Sequence, residues 1–348
     1  MRWDDIYLQA SASRLGRAED VQEAVAQGRY DPEECAEDGY LSVSVIDDES
    51  PADLAVSAAR SALRRSGVAD RAVDLVIHSS VGFQGIDHWS PAAYIQRHTV
   101  AGQAAAVEIK QASNGGLAAL DLAAAYLAAR PAPAAALLTT ADVYQPPVFD
   151  RYCSDQGWVR GDGATALVLG REPGLARLLA TCLVGDSTHE EAHRCGEPWA
   201  KAPGERGWPV DLRSRRREYF LGGHEPAEIG EAIVGGIRQV MRTGLKDAGV
   251  DVSDIARFVF PHAARHVARW AFAMDEFGIP DDRTTLDWGM TVGHIGAGDQ
   301  IAGLTHLLET RQVAPGDLVL LTGLGAGLTF ASAVLEIREQ PDWAEEQS

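Results

Sequence analysis

Apolar and polar positions recur along the chain with two different periods, and these periods predict helices and strands. Residues 51–66 carry a stripe of apolar side chains at helical spacing, beginning at Pro51 and ending before Gly67 as helices commonly do. Residues 114–129 are apolar on nearly all sides, which indicates a helix at the centre of the fold. A third helix is predicted in the second half by apolar residues at the same spacing: Ile229, Ile233, Ile237 and Met241.

Short apolar runs bounded by turn residues predict strands. They cover residues 73–80, 134–140, 256–262, 317–323 and 328–336. Strands and helices therefore alternate along the chain. Such alternation favours an α/β fold, and we expect most of its strands to be parallel.

The chain also contains an internal similarity. Residues 111–142 and 293–323 each combine a small-residue turn, an apolar helix, a proline break and a strand. Residues 161–170 resemble residues 323–336 in the same way, and the order of elements matches as well as the composition. Two copies of one α/β unit predict a pseudo-twofold molecule. We expect its halves to be residues 1–171 and 172–348.

The length and net charge of the chain limit the classes of partner that it can bind. The chain has 348 residues and a formal net charge of −19. A surface this acidic repels phosphate backbones and anionic lipid, so we expect neither nucleic acid nor a membrane as a partner. No apolar run approaches the ~20 residues that span a bilayer, and the N-terminus lacks the apolar core of a signal peptide. We therefore expect a cytoplasmic protein whose four cysteines are free thiols.

A negative net charge over the whole chain does not exclude a local basic patch. The chain has one, formed by Arg213, Arg215, Arg216 and Arg217. A solvated loop is the simpler interpretation of this segment, and a docking site for an acidic partner is the alternative.

Ser113 is the first candidate for chemistry. It lies in the stretch QASNGG, immediately before the predicted central helix. Small neighbours let a substrate approach the backbone, and the free N–H groups of a helix start favour negative charge. By itself, however, a serine or asparagine at this place is more often an ordinary helix cap.

The rest of the chain favours a catalytic role for Ser113 over a helix cap, because the chain resembles ketoacyl-acyl-carrier-protein synthase III over nearly its whole length. Short motifs similar to those of the family occur in the family's order: ASNG (112–115), GDGA (161–164), PHAA (261–264), GHIGA (293–297) and GAGLT (325–329). The resemblance implies a thiolase fold, an α/β architecture with two pseudo-symmetric halves in α-β-α-β-α layers. It places Ser113 at the position of the family's nucleophilic cysteine, His262 at its histidine and His294 at its asparagine.

Two of these positions depart from the family, and the departures are complementary. A serine hydroxyl is almost wholly protonated at neutral pH and needs a base before it attacks a thioester. His294 supplies an imidazole where the family has an asparagine, and Asp299 could orient it, so Ser113, His294 and Asp299 would form a triad. His262 is the second candidate base, and it could instead activate the acceptor. The alternatives are structural: a polar loop residue for His294, a buried histidine for His262 and a first-turn helix acid for Asp299.

The resemblance and these departures together predict ping-pong acyl transfer. Ser113 would take an acyl group from an acyl carrier protein or coenzyme A thioester and pass it to a small-molecule or carrier-bound acceptor. The N–H groups of Ser113 and, by resemblance, Ala326 would form the oxyanion hole. Relatives with such altered residues are associated with acyl transfer in polyketide and other natural-product (antibiotic) biosynthesis. We expect this chain to need no cofactor. Decarboxylative starter condensation and a non-catalytic partner role are the alternatives.

The resemblance also implies a homodimer. In the family, the segment matching residues 82–98 lies at the dimer interface and can reach the partner's acyl pocket, so His88 and Trp89 are candidate pocket residues. An exposed loop is the alternative. His193 is a further candidate, because family members line the substrate tunnel from this region.

Three other patterns carry less weight. Residues 189–193 (HEEAH) match a zinc-peptidase pattern but lack an apolar helical stripe, so we expect no metal site there. Cys153 is a rival nucleophile that lacks a following helix start. The stretch GLGAGLT (323–329) lies between two predicted strands, so the helix that dinucleotide binding requires is missing.

Overall fold

The computed structural model describes residues 1–202, 204–268 and 270–345. The strands are β1 (Tyr7–Leu15), β2 (Arg17–Asp20), β3 (Ser42–Val45), β4 (Val73–Ser79), β5 (Ala105–Ile109), β6 (Ala135–Asp142), β7 (Gly163–Gly170), β8 (Ala176–Gly185), β9 (Ile255–Val259), β10 (Leu318–Gly325) and β11 (Thr329–Ile337). The helices are α1 (Val21–Ala26), α2 (Pro32–Asp38), α3 (Pro51–Ser66), α4 (Pro91–His98), α5 (Gly115–Ala128), α6 (Leu212–Leu221), α7 (Pro226–Ala248), α8 (Arg265–Ala268), α9 (Trp270–Phe277), α10 (Leu286–Gly289) and α11 (Asp299–Glu309).

The predicted elements are confirmed, with boundaries shifted by a few residues. Helix α3 is capped at its start by Ser50, whose Oγ accepts a hydrogen bond from the Asp53 N–H. It ends at Gly67, whose φ of 63° lies in the left-handed region that glycine adopts without strain. Helix α5 is buried on nearly all sides, as its apolar composition predicts.

The main sheet has nine strands in the order β5-β4-β6-β7-β1-β8-β11-β10-β9. The expectation of mostly parallel strands was wrong. Three neighbouring pairs are parallel, namely β4–β5, β4–β6 and β9–β10, and the other five are antiparallel. In each half a strand returns antiparallel beside its predecessor, and a run of apolar residues does not reveal that reversal of direction.

The strand order repeats between the two parts of the sheet. The order β4-β6-β7-β1 has one parallel and then two antiparallel pairings. The order β9-β10-β11-β8 has the same sequence of pairings. The internal similarity of the sequence therefore corresponds to a repeated topology, with α5 preceding β6 and α11 preceding β10.

The helices form three layers around the two parts of the sheet. Helices α5 and α11 contact each other and strands of both parts, so they form the central layer. Helix α3 packs on β1, β6 and β7 from one outer side, and α7 packs on β8, β10 and β11 from the other. Separate apolar clusters fill the central and the two outer contacts. Among the described residues, no helix is both long enough and apolar enough to cross a membrane.

Candidate active site

The candidate active site lies where the starts of the two central helices, α5 and α11, come close together. Ser113 lies in a single 3₁₀ turn, Ala112–Asn114, directly before α5. His294 precedes a second 3₁₀ turn, Gly296–Gly298, directly before α11. The chain enters both turns through a residue with positive φ, 46° at Ala112 and 72° at Gly296. The two turns contact each other, although Ser113 and His294 lie far apart in the sequence.

Ser113, His294 and Asp299 are in hydrogen-bonding contact. The Ser113 Oγ lies 2.7 Å from Nε2 of His294, and Nδ1 of the same imidazole lies 2.6 Å from Oδ2 of Asp299. The carboxylate can only accept, so Nδ1 carries the proton and Nε2 is the acceptor that faces the serine hydroxyl. This is the order of contacts in a serine–histidine–carboxylate triad.

Burial sets the protonation state of this imidazole. His294 and Asp299 are both fully buried. Burial lowers the pKa of His294, although the charge of Asp299 acts in the opposite direction. Burial by itself opposes the charged form of Asp299, but His294 and His262 together hold the pKa of that carboxyl below its usual value. At neutral pH the pair is therefore a neutral imidazole beside a carboxylate.

His262 contacts the carboxylate and not Ser113. Its backbone N–H donates to Oδ2 of Asp299 over 2.8 Å, and its Nδ1 lies 3.0 Å from the carbonyl oxygen of Gly293. Its Nε2 is buried and has no hydrogen-bond partner within the described part of the chain, and the ring packs edge-on against Trp288 with centroids 5.1 Å apart. The geometry thus leaves His294 as the imidazole within reach of the serine hydroxyl.

A cavity of about 410 Å³ opens beside Ser113. Most of its wall is apolar, with contributions from Trp158, Phe220, Ile229, Ile233, Leu324 and Leu328. Trp158 also packs on the His294 ring, with centroids 4.9 Å apart, so one of the cavity-lining side chains holds the imidazole in place. The volume is in the range of about 300–1,000 Å³ that is typical of small-molecule sites.

The backbone of the glycine loop between β10 and β11 faces the same cavity. Gly325 and Ala326 line the wall together with Ser113. A Cβ at Gly325 would lie 2.6 Å from the carbonyl oxygen of Gln111, so this close approach of loop and helix start requires a glycine. The loop is the turn of a β-hairpin, in agreement with the expectation that no helix follows it.

Charged and polar side chains interrupt the apolar wall. Asp155, Arg160, Arg215, Arg216 and His193 all line the cavity. Asp155 accepts from Arg160 over 2.8 Å and also from Arg216. The expectation of a solvated loop for the arginine patch was therefore wrong: the segment is part of helix α6, and Arg213 and Arg216 form ion pairs with Glu34 and Asp155.

The other candidates from the sequence lie apart from this cavity. His88 is exposed, and Trp89 is half-buried with its ring 5.5 Å from that of Tyr94. Both remain predictions, because their expected role involves a second copy of the chain. Cys153 is exposed, and all four cysteines are free. His189 lies 2.9 Å from the Tyr219 hydroxyl, and the described residues contain no group of three or more metal-ligating side chains placed to hold an ion.

Three cavity-lining residues were not predicted from the sequence: Arg160, Asp155 and Trp158. These residues lie in the polar stretch before the GDGA motif, where no periodicity distinguishes a cavity wall from a loop. The one available signal was an isolated arginine next to that motif. In the folded chain Arg160 lies beside His294, and the two residues form an isolated backbone bridge. This contact between distant segments places Arg160 at the site, and the sequence alone does not reveal it.

The chain is similar to one family model and to a number of known proteins, including ChlB3 and two synthases. Residues 245–337 match the model for the C-terminal part of 3-oxoacyl-acyl-carrier-protein synthase III. A solved structure of ChlB3, described as an acyltransferase, is 35% identical, with a TM-score of 0.91 over 98% of this chain and 100% of that chain. Acetoacetyl CoA synthase NphT7 from Streptomyces sp. (strain CL190) is 28% identical over 83% of this chain and 85% of its own length. A 3-oxopimeloyl-acyl-carrier-protein synthase from Rhodothermus marinus is 29% identical over 83% and 80%.

Proposed function

This chain belongs to the ketoacyl-acyl-carrier-protein synthase III family and has its thiolase fold, and from that premise we propose that it is an acyltransferase acting through a Ser113 acyl-enzyme. The donor is an acyl thioester of a carrier protein or coenzyme A. The acceptor is a second nucleophile, small or carrier-bound, in polyketide or other natural-product biosynthesis. The observation that carries the proposal is the 2.7 Å contact between the Ser113 hydroxyl and His294.

Acylation begins when the Ser113 oxygen attacks the thioester carbonyl. The hydroxyl proton passes to Nε2 of His294, and Asp299 stabilises the resulting imidazolium through the bond at Nδ1. The N–H groups of Ser113 and Ala326 face the developing oxyanion. As the tetrahedral intermediate collapses, the carbon–sulfur bond breaks and the imidazolium returns its proton to the departing thiolate.

Deacylation repeats these steps with the acceptor in place of serine. The acceptor enters the cavity vacated by the thiol, and His294 removes its proton while it attacks the ester carbonyl of acyl-Ser113. The same imidazolium then reprotonates the Ser113 oxygen as the ester bond breaks. One base thus serves both half-reactions, and His262 holds the carboxylate that orients it.

Intact-protein mass spectrometry tests the proposal. Incubation with acyl-N-acetylcysteamine thioesters should add one acyl mass, located by peptide mapping to Ser113. The addition should disappear in Ser113→Ala and persist in Cys153→Ala, the control for the exposed thiol. Acylation that survives in Ser113→Ala would reject the assignment.

Decarboxylative condensation is the second candidate, and the names of the two synthase relatives favour it. Condensation requires donors that hold the thioester enolate after loss of carbon dioxide. In this chain His294 is engaged by Ser113 and Asp299. The Nε2 atom of His262 is buried, and His262 is not among the residues that line the cavity. Release of carbon dioxide from malonyl thioester, coupled to acyl-enzyme consumption, would favour this candidate over simple transfer.

A further inference from the structure

We propose that the cavity beside Ser113 selects a substrate group that ends in a carboxylate, bound by Arg160 and Arg216. This inference rests on the proposed function, since it names the class of substrate that the Ser113 site takes. The group would consist of an apolar spacer between the reacting carbonyl or nucleophile and the charged end. The arrangement of charges on the cavity wall leads to this assignment.

The first observation is an excess of positive charge at a buried place. Arg160 and Arg216 both bind the same carboxylate, Asp155. The side chains of Arg160 and Asp155 are only 8% and 7% exposed. Two guanidinium groups therefore share one negative charge, that of the buried Asp155; Arg160 is buried as well, whereas Arg216 is partly exposed. An unbalanced charge at a buried ion pair is costly. One further carboxylate would balance it.

The second observation is hydrogen-bonding capacity left unused on the same wall. Among the described residues, Asp155 is the one hydrogen-bond acceptor of the Arg160 guanidinium, and the buried Nε of Arg160 has none. His193 also lines the cavity, and its buried Nδ1 has no hydrogen-bond partner in the ranges that the structure describes. A guanidinium presents its N–H groups as a fork that matches the two oxygens of a carboxylate.

Nearby protein carboxylates do not fill this role. Asp299 accepts from His294 and from two backbone N–H groups. Asp162 forms an ion pair with Arg151. Each is already committed, so neither supplies the acceptor that Arg160 lacks, and a ligand carboxylate in the cavity would supply it.

The apolar part of the wall defines the rest of the ligand. Trp158, Leu324 and Leu328 line the cavity together with Ser113 and Arg160. A ligand in this cavity therefore presents hydrocarbon to most of its surroundings and charge at one end. An alkyl or aryl dicarboxylic acid in which one carboxyl is the thioester has this character. The carboxylate could equally be carried by the acceptor, which uses the same cavity in the second half-reaction.

The donor arm of the test compares matched acyl groups on N-acetylcysteamine. Succinyl, glutaryl and adipyl thioesters are compared with branched acyl thioesters of the same shape, in which two methyl groups replace the carboxylate oxygens. All share one thiol, so any preference comes from the acyl end. The parent enzyme should acylate about 10- to 100-fold faster with the carboxylate-bearing thioester than with its neutral analogue, because hydrogen bonds to a charged group have that magnitude. Arg160→Gln and Arg216→Gln should lose this preference. The control is Arg217→Gln, an exposed residue of the same helix that donates to Ser214 and does not line the cavity.

The acceptor arm starts from enzyme loaded with a neutral acyl group. Thiol and alcohol acceptors with and without a terminal carboxylate are compared by the rate at which the acyl mass is lost. A preference for the carboxylate in either arm that disappears in Arg160→Gln supports the proposal and identifies which substrate carries the charge. If Arg160→Gln does not fold, Arg216→Gln, whose side chain is 30% exposed, carries the same comparison.

Efficient acylation and transfer without any carboxylate preference would overturn this inference and leave the proposed function intact. Absence of acyl-enzyme with every thioester would instead defeat the proposed function. In that case calorimetry on Ser113→Ala still decides the present inference, by titration with glutaryl-N-acetylcysteamine and its branched neutral analogue. Equal binding of the two would overturn it, and selective binding of the glutaryl compound that Arg216→Gln removes would support it.

Discussion

The Ser113 hydroxyl oxygen lies 2.7 Å from Nε2 of His294, although 181 positions separate the two residues in the chain. Each stands close before a helix of the central layer, α5 for Ser113 and α11 for His294. The repeated topology places these two helix starts face to face. A hydroxyl from one half and an imidazole from the other therefore share one hydrogen bond, and the proposed chemistry depends on that bond.

Replacing His294 by asparagine should slow acylation of Ser113 by about 10²- to 10⁴-fold, the usual contribution of a general base. Asparagine occupies the same buried place without a basic nitrogen. The measurement is single-turnover acylation followed by mass spectrometry. His189→Asn is the matched control, because His189 bonds Tyr219 outside the cavity. An acylation rate within a few-fold of the parent would contradict the role of His294.

A thiol at position 113 should restore part of the acylation rate that His294→Asn loses. A thiol is partly ionised near neutral pH and is intrinsically nucleophilic, so it needs less help from a base than a hydroxyl does. The double variant Ser113→Cys/His294→Asn is therefore expected to acylate faster than His294→Asn alone. The comparison uses the same single-turnover assay. If the thiol gives no gain, base removal is not the reason for the loss in His294→Asn.

The acylation rate should depend on pH through His294. Burial lowers the pKa of this imidazole below its ordinary value of 6.5, and only the neutral ring can accept the serine proton. The rate should therefore stay level as the pH falls to 6.5 and decline only at lower pH. The same shift lowers stability in that range, because below pH 6.5 the unfolded chain binds this proton more readily than the folded chain. A rate that already declines above pH 6.5 would contradict this assignment.

Gly296→Ala should destabilise the fold by roughly 2–4 kcal/mol. The residue has a φ of 72°, and an added Cβ would lie 2.1 Å from Oδ2 of the buried Asp142. That carboxylate accepts from the backbone N–H groups of Val81 and Gly82, so its displacement also disturbs a cavity-lining loop. Denaturant unfolding gives the measurement. Gly185→Ala is the control, with negative φ and no atom within 4 Å of the new Cβ, and it should change stability by no more than about 0.5 kcal/mol.

The sequence by itself determined the elements and their repetition. Helices 51–66 and 114–129 and the strand beginning at residue 73 were predictable, because each is encoded by the spacing of apolar residues within a short window. The motifs that carry the family resemblance also led to the hypothesis that Ser113, His294 and Asp299 form a triad. These features depend on neighbours in the chain, so they can be predicted before any tertiary contact is known.

Only the tertiary structure decided which side chains meet. Strand direction was predicted wrongly because an apolar run is the same in both directions, and the arginine patch was misassigned because its partner Asp155 lies some sixty residues away. Both His294 and His262 were candidate partners of Ser113, and packing brought only His294 to the hydroxyl. Such contacts join distant segments, and their geometry depends on how whole layers pack, which no local pattern in the sequence records.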